Sequence, residues 1–88
     1  MKVDFRRSFL EDLKNVDDKR VLGRVKQKIE EVEHAKLLSD IPNIKKLKTA
    51  NQHYRIRVGN YRLGLAVVGE TVTFVRFLHR KKIYKYFP

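Results

Sequence analysis

Two short segments of the chain alternate strictly between large apolar residues and residues that are polar or small, and only two residues separate them. The segments are Tyr54–Val58 and Tyr61–Val67, with Gly59-Asn60 between them. Strict alternation is typical of strands with one buried face, and glycine at the first central position of a two-residue loop favours a type II′ hairpin turn. The sequence therefore predicts an antiparallel hairpin in which Arg57 lies opposite Arg62.

This register divides the hairpin into two faces. The apolar face is expected to pack against helices and carries Tyr54, Ile56, Val58, Tyr61, Leu63 and Leu65. The opposite face carries Arg55, Arg57 and Arg62, with Gly64 and Ala66 beside them. Directly opposed like charges destabilise a sheet, so this arginine face is predicted to bind an anion, and the two small residues predict a shallow depression where a phosphate approaches the backbone. The alternative is that the arginine stems only cover the sheet.

The charge of the chain supports an anionic partner. Residues 45–88 hold eleven Lys and Arg against one acid, Glu70, whereas residues 1–44 hold ten basic and nine acidic residues. Nearly all of the net charge of +11 therefore belongs to the C-terminal half. A cationic field of this density is typical of a surface that binds a nucleic-acid backbone.

A second hairpin and a basic tail complete this half. Gly69-Glu70 is predicted to be another two-residue turn, and regular pairing after it places Val75 and Phe77 on the arginine face. Phe77 is then either a stacking surface for a base or a minor core residue under the C-terminal segment. The tail His79–Pro88 alternates cations with aromatic residues, which suits single-stranded nucleic acid, and is expected to form one helical turn.

The N-terminal half has helical periodicity after a short strand at residues 2–6. Ser8 and Glu11 have the spacing of a capping box, which predicts a short helix over about residues 9–16. Asp17 and Asp18 are expected to begin a longer helix that runs to about residue 36. Its apolar stripe consists of Val21, Leu22, Val25, Ile29 and Val32.

Pro42 ends the helical pattern, and a short strand is predicted at 44–48, followed by a polar connection at 49–53. The fold class is therefore α+β, with an N-terminal strand and two helices packed on one face of a mainly antiparallel sheet. A chain of 88 residues is expected to form a single domain over 1–88.

Composition excludes several classes of function. The absence of cysteine excludes disulfides, thiolate metal sites and a cysteine nucleophile. We find no pattern of metal ligands and no glycine-rich phosphate loop, so neither a metal nor a cofactor is expected. No stretch approaches the roughly 18–20 apolar residues of a membrane span, and no apolar leader follows the N-terminus. These observations predict a soluble cytoplasmic protein without a membrane partner.

Two runs in the C-terminal half resemble a known family. Tyr54–Leu63, which reads YRIRVGNYRL, and Leu78–Tyr84, which reads LHRKKIY, look like the core signature of the RelE/ParE superfamily of bacterial and archaeal type II toxins. The order of strand, two helices and strand meander is similar as well. The resemblance implies a RelE-like member that cleaves mRNA on the ribosome and is neutralised by an antitoxin, or a ParE-like member that inhibits DNA gyrase.

The resemblance to RelE-like members also implies roles for individual residues. Cleavage would be metal-free, with the ribose 2′-hydroxyl attacking the adjacent phosphate. The implied catalytic residues are Arg57 and Arg62 on the phosphate, Tyr84 as general base, with Tyr86 as its alternative, and Arg80 or His79 at the leaving group. His79 has a second interpretation as a hydrogen-bonded residue at a strand end, and His34 and His53 are expected to be structural or solvated. Further RNA contacts are expected from Lys45, Lys46, Lys48, Arg55, Phe77, Lys81 and Lys82.

The expected partners follow from this surface. A ribosome with bound mRNA would supply the anion, and an antitoxin that covers the cationic half should be acidic and partly disordered, laying a helix or a strand along the helices or the sheet edge. Two other functions stay open at this point. One is gyrase inhibition without nuclease activity, and the other is RNA binding without catalysis.

Overall fold

The computed structural model describes residues 1–48 and 50–88. The helices are α1 (Arg7–Lys14), α2 (Lys19–His34) and α3 (Ile83–Tyr86), with a short 3-10 turn at Leu38–Asp40. The strands are β1 (Lys2–Phe5), β2 (Ile44–Lys46), β3 (His53–Val58), β4 (Tyr61–Val68) and β5 (Thr71–His79). Thr49, which begins the predicted connection at 49–53, lies outside the described residues.

The strands form one sheet in the order β1-β5-β4-β3-β2. β1 pairs with β5 in parallel, and the other neighbouring strands are antiparallel. The predicted α+β class is therefore confirmed. In the part of the chain that the structure describes, no helix has the length and apolar character needed to span a bilayer.

The first hairpin has the predicted register. Arg57 is the partner of Arg62, and Arg55 is the partner of Gly64. Gly59 has a φ of 58°, which a glycine adopts at no steric cost and which places the two strands for antiparallel pairing.

The second hairpin contains a β-bulge that the sequence analysis did not predict. Leu65 pairs with Phe74, but Gly64 pairs with Arg76, so Val75 is an extra residue in β5. An extra residue reverses the faces of the residues that follow it, relative to a regular ladder. In the C-terminal part of β5, each side chain therefore lies on the face of the sheet opposite to the predicted one.

Phe77 is the first aromatic residue affected by the bulge. It pairs with Leu63 on the helix side of the sheet and is 1% exposed. Its ring stacks on Tyr61 with ring centroids 4.9 Å apart. The prediction that Phe77 faces the arginines and binds RNA is wrong, because the bulge places the ring in the core, where no base reaches it.

The main core lies between the two long helices and the apolar face of the sheet. On α2, Val25 and Val32 of the predicted stripe are buried, and Val21 and Ile29 pack against them. The helix begins after Asp18, whose Oδ1 accepts a hydrogen bond from the backbone N–H of Arg20 at 2.9 Å. The largest fully buried side chains of this core are Phe9, Phe74, Phe77, Ile56, Leu63, Leu65, Val25, Val32 and Val72.

Helix α1 begins differently from the prediction. Its first residue is Arg7, and the N-cap position has no side-chain hydrogen bond, so the capping box of Ser8 and Glu11 does not form. The Ser8 hydroxyl instead donates to the carbonyl oxygen of Val75 at 2.6 Å. Because Val75 is the bulge residue, this contact ties the helix to the irregular part of β5.

The side chain of Asp12 also attaches α1 to β5. β1 ends at Phe5, so the edge of β5 beyond Phe74 has no strand partner, and α1 lies along it. The backbone N–H of Phe77 donates to Asp12 Oδ2 at 2.9 Å, and Arg76 donates to both oxygens of the same carboxylate at 2.8 and 3.0 Å. The buried carboxylate of Asp12 therefore accepts a backbone hydrogen bond of β5 that a neighbouring strand would otherwise accept.

Candidate nucleic-acid interface

Three arginines meet on the face of the sheet that is turned away from the main core. Arg55 and Arg57 come from β3, and Arg62 lies opposite Arg57 on β4. The cavity between them has a volume of about 250 Å³. Its lining consists of Asn43, Ile44, Lys45, Arg55, Arg57 and Arg62.

The guanidinium group of Arg62 is only partly satisfied by the protein. Its Nη1 donates to the carbonyl oxygens of Gly59 at 3.0 Å and Tyr61 at 2.9 Å, whereas its Nε is buried without a partner. Burial lowers the pKa of Arg62, and the charges of Arg55 and Arg57 lower it further. Among the described residues, no carboxylate forms an ion pair with these three arginines. An anion in the cavity would supply the missing countercharge.

The lysines of β2 fall on two different faces. Lys45 pairs with Arg55, so it shares the arginine face and lines the cavity. Lys46 pairs with Tyr54 and points to the opposite face, away from the arginines. Lys48 is exposed just beyond the strand. Of these three predicted RNA contacts, the structure brings only Lys45 to the cavity.

Tyr84 and Arg80 lie close to the arginine cavity. The ring centroid of Tyr84 is 5.7 Å from the Cζ atom of Arg55, and the ring is 60% exposed. The backbone N–H of Arg80 donates to the carbonyl oxygen of Asn60 at 2.8 Å, at the turn that precedes Arg62. After burial and the other two arginines, the charges of Tyr84 and Arg80 also shift the pKa of Arg62.

Tyr86 lies elsewhere on the same helix. Its ring is 5.7 Å from the Cζ atom of Arg76, which is itself bound to Asp12. Of the two tyrosines that the sequence offers for one role, Tyr84 is therefore the one beside the cavity.

The depression predicted at Gly64 is filled. The ring of Phe87 lies so close that a Cβ atom on Gly64 would be 2.8 Å from its Cγ and Cδ2 atoms. Phe87 and Ile83 are 3% and 1% exposed. The prediction of a depression open to a phosphate is wrong, because these two side chains fold back onto the sheet. Their spacing of four residues, which places them on one face of a helical turn, was the signal in the sequence.

His79 lies on the opposite face from the arginines. It pairs with Tyr61, and the two ring centroids are 5.7 Å apart in an edge-on contact. Its Nδ1 accepts a hydrogen bond from the backbone N–H of Lys81 at 3.2 Å. The prediction that His79 joins Arg57 and Arg62 is wrong, since the bulge turned this end of β5 over. The structure agrees with the second interpretation, a hydrogen-bonded histidine at a strand end.

The last two lysines of the predicted site are exposed between β5 and α3. Lys81 and Lys82 follow Arg80 directly, and Lys82 lies beside His79 at a smaller cavity on the helix side.

A different histidine shares the arginine face, because His53 precedes Arg55 by two residues in β3. Its ring contacts Phe87 at 5.5 Å, and its Nδ1 is 2.7 Å from the carbonyl oxygen of Asn51.

Comparison with known proteins identifies the family. The model of the ParE toxin of type II toxin-antitoxin systems matches residues 3–84. Toxin RelE3 of Methanocaldococcus jannaschii is 49% identical over 89 residues that cover the full length of both chains. The chain belongs to the RelE/ParE superfamily of type II toxins.

Solved structures of RelE toxins have the same fold as this RelE/ParE toxin. The toxin of the RelB-RelE antitoxin-toxin complex from Methanococcus jannaschii superposes with a TM-score of 0.82 at 46% identity, over 97% of this chain and 99% of that one. For the RelE-RelB complex from Pyrococcus horikoshii the TM-score is 0.73 at 18% identity, over 90% and 93% of the chains. For the intact RelBE complex from E. coli it is 0.69 at 23% identity, over 89% and 94%. The latter two similarities concern the fold alone.

Proposed function

We propose that this toxin is an endoribonuclease that cleaves mRNA bound to the ribosome. The observation that carries the proposal is a cavity lined by four cationic side chains, Lys45, Arg55, Arg57 and Arg62, of which Arg62 also has a buried Nε without a partner. A buried donor without an acceptor is costly, and a phosphate oxygen would accept its hydrogen bond. The name of Toxin RelE3, at 49% identity over the full chain, supports a RelE-like activity.

The reaction proposed for this site needs no metal. The ribose 2′-oxygen forms a bond to the adjacent phosphorus, the bond from phosphorus to the 5′-oxygen breaks, and the products carry a 2′,3′-cyclic phosphate and a 5′-hydroxyl. The 2′ proton passes to a base, and the departing 5′-oxygen takes up a proton. Negative charge grows on the phosphate oxygens in the transition state, where Arg57 and Arg62 would stabilise it.

Whether a side chain can transfer a proton determines its role in the reaction. Arginine stays protonated, so Arg55, Arg57 and Arg62 act through charge and hydrogen bonds and transfer no proton. Tyr84 carries the hydroxyl beside the cavity; in its deprotonated form its oxygen would accept the 2′ proton, and a water molecule would give the departing 5′-oxygen its proton. Arg80, at the turn before Arg62, is assigned to the charge on the 5′-oxygen.

The flanking lysines would extend the binding surface. Lys45 lies on the arginine face, and Lys81 follows Arg80 in an exposed turn. Such residues neutralise phosphates on either side of the cleaved bond and contribute affinity that depends strongly on salt. The exposed Lys48 would add to this surface, whereas Lys46 points away from it and Lys82 lies at the cavity on the helix side.

We assign an antitoxin to the opposite side of the molecule as well as to the cationic face. Helices α1 and α2 border a groove of about 430 Å³ whose apolar lining is Leu13, Leu22, Val25 and Ile29. An amphipathic helix would bury this lining, and an acidic segment continuing from it would neutralise the arginines. The RelE of Methanococcus jannaschii, 46% identical to this chain, was crystallised with its RelB antitoxin, which supports a partner of this kind.

A second candidate function is inhibition of DNA gyrase, and the family match favours it, since the matching model is that of the ParE toxin. This function would require binding without any chemistry at Tyr84. The arginine cavity with an adjacent tyrosine makes the nuclease the better-supported proposal.

The test uses purified toxin and ribosomes programmed with a defined mRNA. We expect cleavage within the ribosome-bound codons, with new 5′-hydroxyl ends that a polynucleotide kinase labels directly and 3′ ends that carry a cyclic phosphate. A gyrase supercoiling assay runs in parallel on the same preparation. Intact mRNA together with inhibited supercoiling would replace the nuclease by the ParE-like function.

A further inference from the structure

The C-terminal helix α3 is held on the arginine face by three aromatic side chains. Phe87 lies on Gly64, Tyr84 lies over Arg55, and Tyr86 lies over Arg76. The Phe87 contact is the buried one, since this residue is 3% exposed whereas Tyr84 and Tyr86 are 60% and 52% exposed. Phe87 therefore anchors the helix at its C-terminal end, as Ile83, which is 1% exposed, does at its first residue.

Gly64 leaves room for the Phe87 ring because it has no side chain. It lies in the middle of β4, where its backbone does not require glycine, and a Cβ there would meet the Phe87 ring at 2.8 to 2.9 Å. Real Cβ atoms essentially never approach other atoms this closely, so any larger residue at position 64 displaces the ring. Gly64 and Phe87 thus form a matched pair across the sheet face.

Helix α3 needs this anchor because it has little stability of its own. It contains four residues, which is one turn, and isolated helices of this length do not form in water. The backbone N–H of Phe87 donates to the carbonyl oxygen of Ile83 at 2.8 Å, so the turn that carries Tyr84 is closed by the anchoring residue itself. An exposed cation–π contact, such as that of Tyr84 with Arg55, is weaker than burial of a whole phenyl ring.

We propose that Phe87 is a positioning residue that holds Tyr84 at the arginine cavity through its contact with Gly64. The inference rests on the proposed nuclease function for its effect on rate, but the placement of Tyr84 is measurable without any activity. Phe87 is not among the residues that line the arginine cavity, and it carries no group that could transfer a proton. Ile83 and Phe87 lie outside the main core cluster, so removing the ring leaves that core intact.

The test combines two variants that break the same contact from opposite sides, Phe87→Ala and Gly64→Ala, with the double variant. Leu37→Ala, at an exposed apolar residue far from α3 in the chain, is the control for a lost apolar side chain. The first readout is NMR. In the wild type, the Phe87 ring current should shift the Gly64 Hα signals upfield, and a nuclear Overhauser effect should connect the Tyr84 ring with the Arg55 side chain.

The Tyr84 to Arg55 effect should disappear in each single variant, the upfield shift of the Gly64 Hα signals should disappear in Phe87→Ala, and both should persist in Leu37→Ala. If the Tyr84 to Arg55 effect survives in both single variants, the inference is overturned, whatever the activity. If the wild type cleaves no RNA, the proposed function fails separately, and the NMR result still decides whether Phe87 places Tyr84.

The second readout is the division between kcat and KM in mRNA cleavage. A misplacement of about 1 Å costs on the order of 100-fold in rate, so we expect kcat to fall by about that factor in each single variant. KM should change by less than about threefold, because the phosphate-binding arginines belong to the rigid sheet. The double variant should be no slower than the worse single variant, since both remove one contact. An unchanged kcat, or losses that multiply in the double variant, would overturn the inference.

Discussion

Arg57 and Arg62 are directly opposite one another in the β3–β4 hairpin, and no described carboxylate forms an ion pair with either of them. Opposed like charges weaken a strand pair, and here the cost is increased by the buried Nε of Arg62. The hairpin gives up some stability to concentrate cationic donors around one cavity. An anion bound in this cavity would offset that loss of stability.

Replacing Arg62 by alanine should weaken RNA binding. Arg62→Ala removes one phosphate contact, so the slope of log affinity against log salt concentration should become shallower by about one unit. Fluorescence anisotropy with a labelled single-stranded RNA over a salt series measures this slope. Arg20→Ala, at an exposed arginine in the first turn of α2, is the matched control and should leave the slope unchanged. Equal slopes for the two variants would remove Arg62 from the phosphate site.

Inorganic phosphate should stabilise the wild type more than Arg62→Ala. A ligand at 100 times its dissociation constant adds about 2.7 kcal/mol to the free energy of unfolding. Without phosphate, the variant should be at least as stable as the wild type, because it loses an unpartnered buried donor. Thermal unfolding with and without phosphate gives both comparisons. Identical phosphate shifts in the two proteins would place the anion elsewhere.

Without added phosphate, the stability difference between wild type and Arg62→Ala should not depend on pH near neutrality. The folded-state pKa of Arg62 is lowered, first by burial and then by Arg55 and Arg57, so folding disfavours its charged form. That destabilisation is present at every pH below the lowered pKa and is relieved only as the pH rises through it. Since arginine titrates far above neutrality, the stability difference between wild type and Arg62→Ala should be constant from about pH 6 to about pH 9.

The sequence was informative where structure is determined locally. The alternation on both sides of Gly59-Asn60 predicted the hairpin and its register, and with it the meeting of Arg57 and Arg62. These features depend on a two-residue turn and on the period of a strand, and both are visible in a few neighbouring residues.

The bulge at Val75 was not predictable in this way. It is associated with contacts from α1, in which Ser8 donates to the Val75 carbonyl and Asp12 accepts from the Phe77 backbone. These partners are more than 60 residues away in the sequence, so the local pattern gave no sign of them. The face assigned to Phe77 and the place of His79 among the catalytic residues were wrong for this single reason.

Asp12 should therefore be important for stability. Asp12→Ala leaves the Arg76 guanidinium and a backbone N–H of β5 without their acceptor; breaking a fully buried pair costs about 3–5 kcal/mol, and this pair is partly buried, so we expect a loss of about 2–4 kcal/mol. Its neighbour provides the control, because Glu11 forms an exposed ion pair with Arg7 at 3.7 Å, and such pairs contribute about 0–1 kcal/mol. Urea unfolding of Asp12→Ala and Glu11→Ala should show this difference. A loss below about 1 kcal/mol in Asp12→Ala would contradict the role of Asp12 at the strand edge.

Removal of one hydroxyl distinguishes the two tyrosines of α3. Tyr84→Phe keeps the ring over Arg55 but removes the group assigned to the 2′ proton, so the cleavage rate should fall by about 10²–10⁴-fold. Tyr86→Phe keeps its contact with Arg76 and should cleave at the wild-type rate. Single-turnover cleavage on programmed ribosomes compares the two. A slow Tyr86→Phe beside a normal Tyr84→Phe would reverse the assignment.

Primer extension on mRNA in programmed ribosomes, with wild type, Arg62→Ala and Arg20→Ala side by side, tests the central claim most directly. We predict stops within the ribosome-bound codons for the wild type and for Arg20→Ala, and full-length mRNA for a folded Arg62→Ala. Wild-type stops that persist in Arg62→Ala would show that cleavage does not use the arginine cavity, and full-length mRNA with all three proteins would show that the toxin is not a nuclease of this kind.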